Sequence, residues 1–249
     1  MTRKILLVEP NYKNKYPPMG LMKIATYYRY LGDDVTFFKG DLKDLVLNDT
    51  YEDLLKQLYF NVDTIFWEEY KPQICSYLKK GLKKSFEEIP LATENTIIAN
   101  LLKYYRKYFY NKDYFKKENR KYDRVGITTL FTFYWDITIE TINFVKKLCK
   151  DENDVMVGGI MSSILPDRVE EATGIRPFVG TLSKPGILDD NDIVIDTLPL
   201  DYSILEEIDY VYPANNGYLA YMTRGCVNKC PFCAVPKLEP QYMGYIPIV

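Results

Sequence analysis

Three cysteines near the end of the chain are the residues whose type and spacing are best suited to chemistry. Cys226, Cys230 and Cys233 follow the pattern CxxxCxxC, directly after a short segment, Tyr218–Met222, that we expect to form a strand. The eight residues from the first cysteine to the third form one loop, which can wrap three sulfurs around a common centre. Thiolates are the soft ligands that zinc and iron–sulfur clusters require. The spacing therefore predicts a metal or cluster site.

The number of ligands restricts the kind of site. The chain has five Cys and no His, whereas a closed structural metal site takes four protein ligands. Three thiolates leave one metal position open, as a catalytic cluster needs in order to bind a substrate or cofactor. The alternatives are a zinc site completed by Cys75, Cys149 or a partner, and three unligated thiols in a turn. The absence of His also excludes a Ser-His-Asp triad and a His general base.

An aromatic residue, Phe232, precedes the third cysteine and completes a longer pattern. With it the loop resembles the signature of the radical S-adenosylmethionine enzymes. The resemblance implies that Cys226, Cys230 and Cys233 hold three irons of a [4Fe-4S] cluster, that S-adenosylmethionine chelates the fourth iron, and that Phe232 lies beside the cofactor. In that family a reductant protein of the flavodoxin or ferredoxin type supplies one electron. The sulfonium is then cleaved to a 5′-deoxyadenosyl radical, which abstracts a hydrogen atom from the substrate.

The first 40 residues and the residues after 120 alternate strands with helices. The apolar run Lys4–Pro10 suits a strand buried on both faces. A helix over Leu21–Leu31 and a strand over Asp34–Phe38 complete a βαβ unit. Further strands are expected at Arg124–Leu130, Asp154–Ile160 and 177–182, with helices at Trp135–Lys150 and Ser163–Ala172. About five strands of this kind predict an α/β fold with a doubly wound, mostly parallel, Rossmann-like sheet.

A helical insertion over about 42–120 interrupts this alternation, with helices expected at Tyr51–Phe60, Pro72–Phe86 and Thr93–Lys117. Residues 101–125 contain nine Lys or Arg and three acidic residues, interleaved with Tyr and Phe. Such a segment could track a nucleic-acid strand. Packing of the aromatic rings at helical spacing is the preferred interpretation, so nucleic-acid binding is not expected.

The N-terminal α/β region resembles the cobalamin-binding domain found in one subgroup of these radical enzymes. The resemblance rests on Pro17–Leu21 after the first strand, on Gly158 and Gly159 after the fourth, and on Thr128-Thr129-Leu130 in place of Ser-x-Leu. It implies that Thr128, Gly158 and Gly159 contact a cofactor. Glu9, at the end of the first strand, either contacts the cofactor or caps a loop. Because the chain has no His, cobalamin can bind only without a His ligand, and the alternative is a domain that has lost the cofactor.

Three regions follow from these patterns: a cobalamin-binding-like domain over 1–187, an acidic linker over 188–216, and the start of a radical S-adenosylmethionine barrel over 217–249. The linker assignment rests on eight acidic and no basic residues between 188 and 210. Only the 16 residues from 234 to 249 follow the last cysteine, so we expect an excised or truncated piece that lacks most of the barrel. No residue is assigned a catalytic role, and the small-molecule substrate is unknown. The alternative is a non-catalytic α/β module that binds a ligand or partner.

Overall composition is that of an ordinary globular protein. The chain has 249 residues, a net charge of −2, 47% hydrophobic and 27% charged residues, which excludes global disorder and a polycation. No secretory signal and no apolar run of about 20 residues is present. The odd number of cysteines does not suit a disulfide framework. We therefore expect a cytoplasmic protein that has no membrane segment.

Overall fold

A computed structural model describes residues 2–214, 216–231 and 233–244. The chain divides into two compact units. The first, the α/β unit, contains the residues up to Gly40 and those from Lys121 onward. The second, the helical unit, spans Asp41–Arg120, close to the range expected for the insertion.

Four parallel strands form the sheet of the α/β unit, in the order β2-β1-β3-β4. Leu7 of the central strand lies opposite Phe37 on one side and Gly126 on the other. The four residues Ile5–Val8 of β1 are all apolar and buried, as is usual for a strand covered on both faces. The α/β class and the parallel sheet of the expected Rossmann-like arrangement are thus confirmed. The strands are β1 (Lys4–Val8), β2 (Asp34–Phe38), β3 (Arg124–Thr129) and β4 (Val155–Gly159).

Nine α-helices occur in the described residues. They are α1 (Met19–Tyr30), α2 (Leu42–Asn61), α3 (Lys71–Lys80), α4 (Lys83–Glu87), α5 (Thr96–Tyr110), α6 (Trp135–Val145), α7 (Ile160–Ile164), α8 (Pro166–Thr173) and α9 (Val235–Leu238). None of those in the described part of the chain combines the length and apolarity needed to cross a membrane.

Two expected strands are not formed. Without the one expected at 177–182, the sheet has four strands in the described residues rather than five. Residues 177–182 contribute one hydrogen bond to the sheet, from the Phe178 N–H to the Val157 carbonyl at 2.8 Å. Residues 218–222 have no strand partner, and Tyr218 is 93% exposed. A strand requires a neighbouring strand to pair its backbone, so the expected first strand of a barrel is wrong for the described chain.

The acidic segment packs into the α/β unit instead of forming a free linker. We call residues 188–212 the strap. Its Ile195 and Ile204 are buried in the same core as Ile5 and Leu7 of β1 and Met22 of α1. Burial of these apolar side chains stabilises the strap on one face of the sheet.

The acids of the strap neutralise bases on the elements beneath it. Asp189 accepts hydrogen bonds from Arg3 at 2.8 Å and from Arg124 at 2.9 Å. Arg29 of α1 pairs with Asp201 and with Glu207, both at 2.6 Å. Four of the eight acids of this segment thus form ion pairs within the α/β unit, namely Asp189, Asp196, Asp201 and Glu207.

The helical unit has its own core, which contains Leu54 of α2, Trp67, Ile74 of α3 and Leu102 of α5. Helix α2 begins nine residues earlier than expected because Asp41 caps it, accepting a hydrogen bond from the Lys43 N–H at 2.9 Å. Helix α3 ends at Gly81, which adopts a φ of +67°.

Candidate functional site

The three cysteines lie in a loop that is closed at its neck. Arg224 and Met243 form an isolated antiparallel bridge, with N···O distances of 3.2 and 2.8 Å. The chain between them, residues 225–242, contains all three cysteines and helix α9; we call it the cysteine loop. A short antiparallel bridge thus brings the two ends of this loop together, although no regular strand leads into it.

Arg224 fastens the neck to the rest of the α/β unit. Its guanidinium donates to Glu239 Oε1 at 2.8 and 2.6 Å, and to Asp196 Oδ2 of the strap at 2.5 Å. The guanidinium also lies over the Tyr221 ring, 4.8 Å from its centroid. These groups are largely buried, so the pairs are less screened than surface ion pairs.

Gly225, which separates Arg224 from the first cysteine, has a conformation that other residues rarely adopt. Its φ is +71°, and a Cβ at this position would lie 2.2 Å from the Gln241 carbonyl oxygen. Its N–H donates to Glu239 Oε2 at 2.6 Å. The backbone of the neck therefore requires a glycine between Arg224 and the first cysteine.

The three cysteines are exposed or half-buried, but their sulfurs do not converge on a common centre. Cys226 is exposed, Cys230 and Cys233 are half-buried, and all three are free thiols. The Asn228 N–H lies 3.4 Å from Cys226 Sγ, and the Cys233 N–H donates to the Cys230 carbonyl at 3.1 Å. Among the described residues no three Cys, Asp or Glu side chains are arranged to hold a metal.

The side chains of this loop are therefore of the right chemical type to bind a cluster, but the loop must rearrange before they can bind one. The donor types, three thiols with no imidazole, suit an iron–sulfur cluster. The sulfurs would have to converge on it, as is common where metal binding is coupled to folding. Phe232, expected beside the cofactor, lies outside the described residues.

The two other cysteines, Cys75 and Cys149, lie outside the cysteine loop, and burial affects both thiols. Burial raises the pKa of Cys149 to about 11, and its side chain is fully buried. Burial also raises the pKa of Cys75 in α3. Burial therefore disfavours the thiolate, the form that binds a metal, at both residues.

Glu9 lies at the carboxyl edge of the sheet, where it forms a buried ion pair. Its Oε2 is 3.1 Å from Lys39 Nζ, and these side chains are 2% and 0% exposed. The Asn14 amide donates to Glu9 Oε1 at 2.8 Å, and the Tyr212 hydroxyl donates to Oε2. The Lys39 ammonium also lies 4.5 Å from the centroid of the Tyr210 ring. Both carboxylate oxygens of Glu9 thus have hydrogen-bond partners within the fold.

Burial shifts both charges of this pair toward neutrality. It raises the pKa of Glu9, although Lys39 and the hydrogen bonds from Tyr212 and Asn14 oppose the shift. It lowers the pKa of Lys39, against the attraction of Glu9. The pair therefore holds its charges at a desolvation cost, and it joins β1, β2 and the strap.

Tyr12 occupies the position where a doubly wound sheet usually binds ligands. That position lies outside the carboxyl ends of β1 and β3, where the strand order reverses. Tyr12 follows β1 and is completely buried; its ring stacks on Tyr134 at 4.5 Å, and its hydroxyl is hydrogen-bonded to Thr138 of α6. The side chain fills the crevice between these segments.

Thr128, Gly158 and Gly159 lie together at the ends of β3 and β4, since Thr128 is paired with Gly158. Gly159 has a φ of +107°, and a Cβ there would lie 2.3 Å from the Thr129 carbonyl oxygen. Close packing of two strands therefore explains this glycine. A Cβ on Gly158 would meet nothing within 4 Å, so the space beside Gly158 is open.

Sequence reasoning missed Lys39, Tyr212 and Tyr12. The pairing of Lys39 with Glu9 had a signal, because each residue directly follows one of two strands whose ends, Val8 and Phe38, are in register. Tyr212 lies more than 200 residues from Glu9, and no local pattern connects them.

The chain was compared with known proteins in three ways. No protein-family model matches it, no curated protein matches it, and no solved structure matches it.

Proposed function

We propose that this chain carries the cluster-binding part of a radical S-adenosylmethionine enzyme. In this proposal Cys226, Cys230 and Cys233 bind three irons of a [4Fe-4S] cluster, and the fourth iron is left for S-adenosylmethionine. When bound, the cluster supplies the electron that cleaves the sulfonium. A small-molecule substrate and a flavodoxin- or ferredoxin-type reductant are the partners that this chemistry implies.

The observation that carries the proposal is the closed neck of the cysteine loop. If the three thiols were ordinary surface groups, their loop would not need these contacts at its neck. The contacts are a glycine at φ +71°, a hydrogen bond from its N–H to the Glu239 carboxylate, and an arginine paired with two acids. These contacts fix both ends of the loop while the thiols stay accessible. Such an arrangement lets the loop close around a ligand at a reduced cost in chain entropy.

Ligand number supports a cluster with an open iron over a closed zinc site. The chain offers three thiols at the loop, no His, and two further cysteines whose burial disfavours the thiolate. The proposal does not include cobalamin. Tyr12 fills the crevice where its tail would enter, and Gly159 is explained by strand packing.

Anaerobic reconstitution of the chain with iron and sulfide tests the proposal. We expect about four irons per chain, an absorbance band near 400 nm and, after reduction, an electron paramagnetic resonance signal that changes when S-adenosylmethionine is added. Cys226→Ala should lose most of the iron. A colourless protein, or one zinc ion per chain, contradicts the proposal; the colourless result favours a non-catalytic α/β binding module.

A pair of glycine variants tests the role of the neck. Gly225→Ala places a Cβ against the Gln241 carbonyl and should lower the iron content several-fold, because a left-handed conformation costs a non-glycine residue about 1–2 kcal/mol before any clash. Gly217→Ala is the matched control, since a Cβ there meets nothing within 4 Å. Equal iron content in the two variants would mean that the neck does not support the cluster.

A further inference from the structure

The helical unit contains an open groove lined by basic and aromatic side chains. Its volume is about 310 Å³, and it is lined by Tyr77 of α3 and by Lys103, Arg106, Lys107 and Tyr110 of α5. No carboxylate and no aliphatic side chain lines it. The groove therefore presents three positive charges between two tyrosine rings.

The lysine charges of the groove are not neutralised by the protein. Residues 95–112 contain no Asp or Glu. Lys103 and Lys107 are exposed, and no carboxylate of the described chain lies within ion-pair distance of either. Other lysines of the same unit differ, because Lys83 pairs with Glu87 and Lys84 with Glu88. The groove is thus a concentrated positive patch on a unit that also carries many acids.

Arg106 is held in a fixed orientation. It donates to the Leu78 carbonyl at 2.7 Å, and its guanidinium carbon lies 5.9 Å from the Tyr77 ring centroid and 5.8 Å from that of Tyr110. A cation that is already immobilised loses little entropy when an anion binds.

Four of the five aromatic residues of α5 fall into two sets. Tyr105 and Phe109 pack against the core of the helical unit, as expected for an amphipathic helix. Tyr104 and Tyr110 are 62% and 73% exposed, although exposure of large rings costs hydrophobic stabilisation. Packing in the core therefore accounts for the first set, whereas the rings of the second set contact Tyr105 or Arg106 and leave most of their surface exposed.

We propose that this groove binds the phosphates of a single-stranded nucleic acid, with Lys103, Arg106 and Lys107 on the backbone and Tyr110 stacking on a base. Cations that follow a helix beside exposed rings are the groups that bind single strands without sequence preference. An acidic protein segment would satisfy the charges, but it would leave the exposed rings without planar partners. The proposal is independent of the cysteine loop.

Fluorescence anisotropy of the full chain with a labelled 12-nucleotide oligouridylate tests this proposal. Replacing Lys103 and Lys107 by Gln together should weaken binding at least tenfold. It should also reduce the slope of log K against log salt by about 1.4, because each phosphate contact to a single strand contributes about 0.7. The matched control is the double variant Lys83→Gln, Lys84→Gln, which should bind like the wild type. Unchanged thermal unfolding shows that the variants are folded.

Four outcomes would overturn the proposal. The first is no binding of the oligonucleotide by the wild type. The second is an equal loss in both double variants, which would indicate a diffuse charge effect. The third is equally tight binding of a 12-residue polyglutamate, which would indicate an acidic protein partner. The fourth is equally tight binding of uridine monophosphate, which would indicate a free nucleotide rather than a strand.

Discussion

The buried pair of Glu9 and Lys39 joins three parts of the α/β unit through two side chains. Removing one partner of a buried ion pair leaves a desolvated charge, whereas removing both can be nearly neutral. The Tyr212 hydroxyl and the Asn14 amide add hydrogen bonds to the same carboxylate. The contribution of each charge to the free energy of unfolding therefore depends on the presence of the other.

Lys39→Met should lower the free energy of unfolding by about 3–5 kcal/mol at pH 8. The double variant with Glu9→Gln should lose less than the sum of the two single variants. Urea unfolding of the wild type, both single variants and the double variant gives the coupling. Additive losses would show that the two residues act independently.

The pH dependence of Lys39→Met follows from the raised pKa of Glu9. Burial raises this pKa above 4.5, and loss of Lys39 raises it further. The folded state then binds the proton more tightly than the unfolded state, so stability falls as pH rises through the folded-state pKa. The deficit of the variant relative to the wild type should be smaller at pH 5 than at pH 8. An equal deficit at both pH values contradicts this assignment.

The acidic composition of the strap gave no indication that this segment packs against the sheet. Eight acids between 188 and 210 suggested a solvated linker, but apolar residues alternate with them and fill the core. Ion pairs such as Asp189 with Arg3 connect residues 186 positions apart, which no local pattern can reveal. The strap is therefore stabilised by the same hydrophobic core and ion pairs as the sheet.

Asp189→Asn should lower the free energy of unfolding at pH 7 by about 1–3 kcal/mol, because the carboxylate accepts charge-assisted hydrogen bonds. Burial raises the pKa of Asp189, but hydrogen bonds from Arg3 and Tyr27 and the charge of Arg124 outweigh it and hold the pKa below 3.8. This stabilisation is present above the ordinary aspartate pKa and is lost as pH falls through the folded-state value.

The control for this substitution is Asp190→Asn, because Asp190 is the exposed neighbour in the strap. Urea unfolding of both variants at pH 7 and pH 3 is the measurement. An equal loss of stability in the two variants would refute a specific role for Asp189.

Elements with strong local signals were predictable from the sequence. The strand at Asp34–Phe38 has the expected bounds, because its apolar residues end at Phe38, two residues before Gly40. Helix α5 ends at Tyr110 rather than Lys117, since Lys112 adopts a left-handed conformation with φ +57°. The spacing of the cysteines was visible in the sequence, but the anchors of their loop were not, because Glu239 and Asp196 act through tertiary contacts.

At the level of the whole molecule, each of the two compact units contains one tryptophan. Trp67 is completely buried in the helical unit. Trp135 begins α6 of the α/β unit, with Arg168 over its ring at 4.7 Å. Fluorescence of single-tryptophan variants can therefore report on each unit by itself.

Leu54→Ala should destabilise the helical unit by about 2–5 kcal/mol, because its fully buried side chain leaves a cavity. In a Trp135→Phe background the urea midpoint reported by Trp67 should fall. In a Trp67→Phe background the midpoint reported by Trp135 should stay unchanged. Ile142→Ala in α6 is the reciprocal variant. If both midpoints move together in each case, the two units unfold as one.

The position of β1 in the sheet has a consequence for synthesis on the ribosome. This central strand is synthesised before both of its neighbours, because β3 begins only at Arg124 and the strap follows later still. The helical unit is complete at Arg120, so it can fold in the nascent chain while β1 still lacks one neighbour. We expect β1 to remain exposed to chaperones until translation has passed the strap.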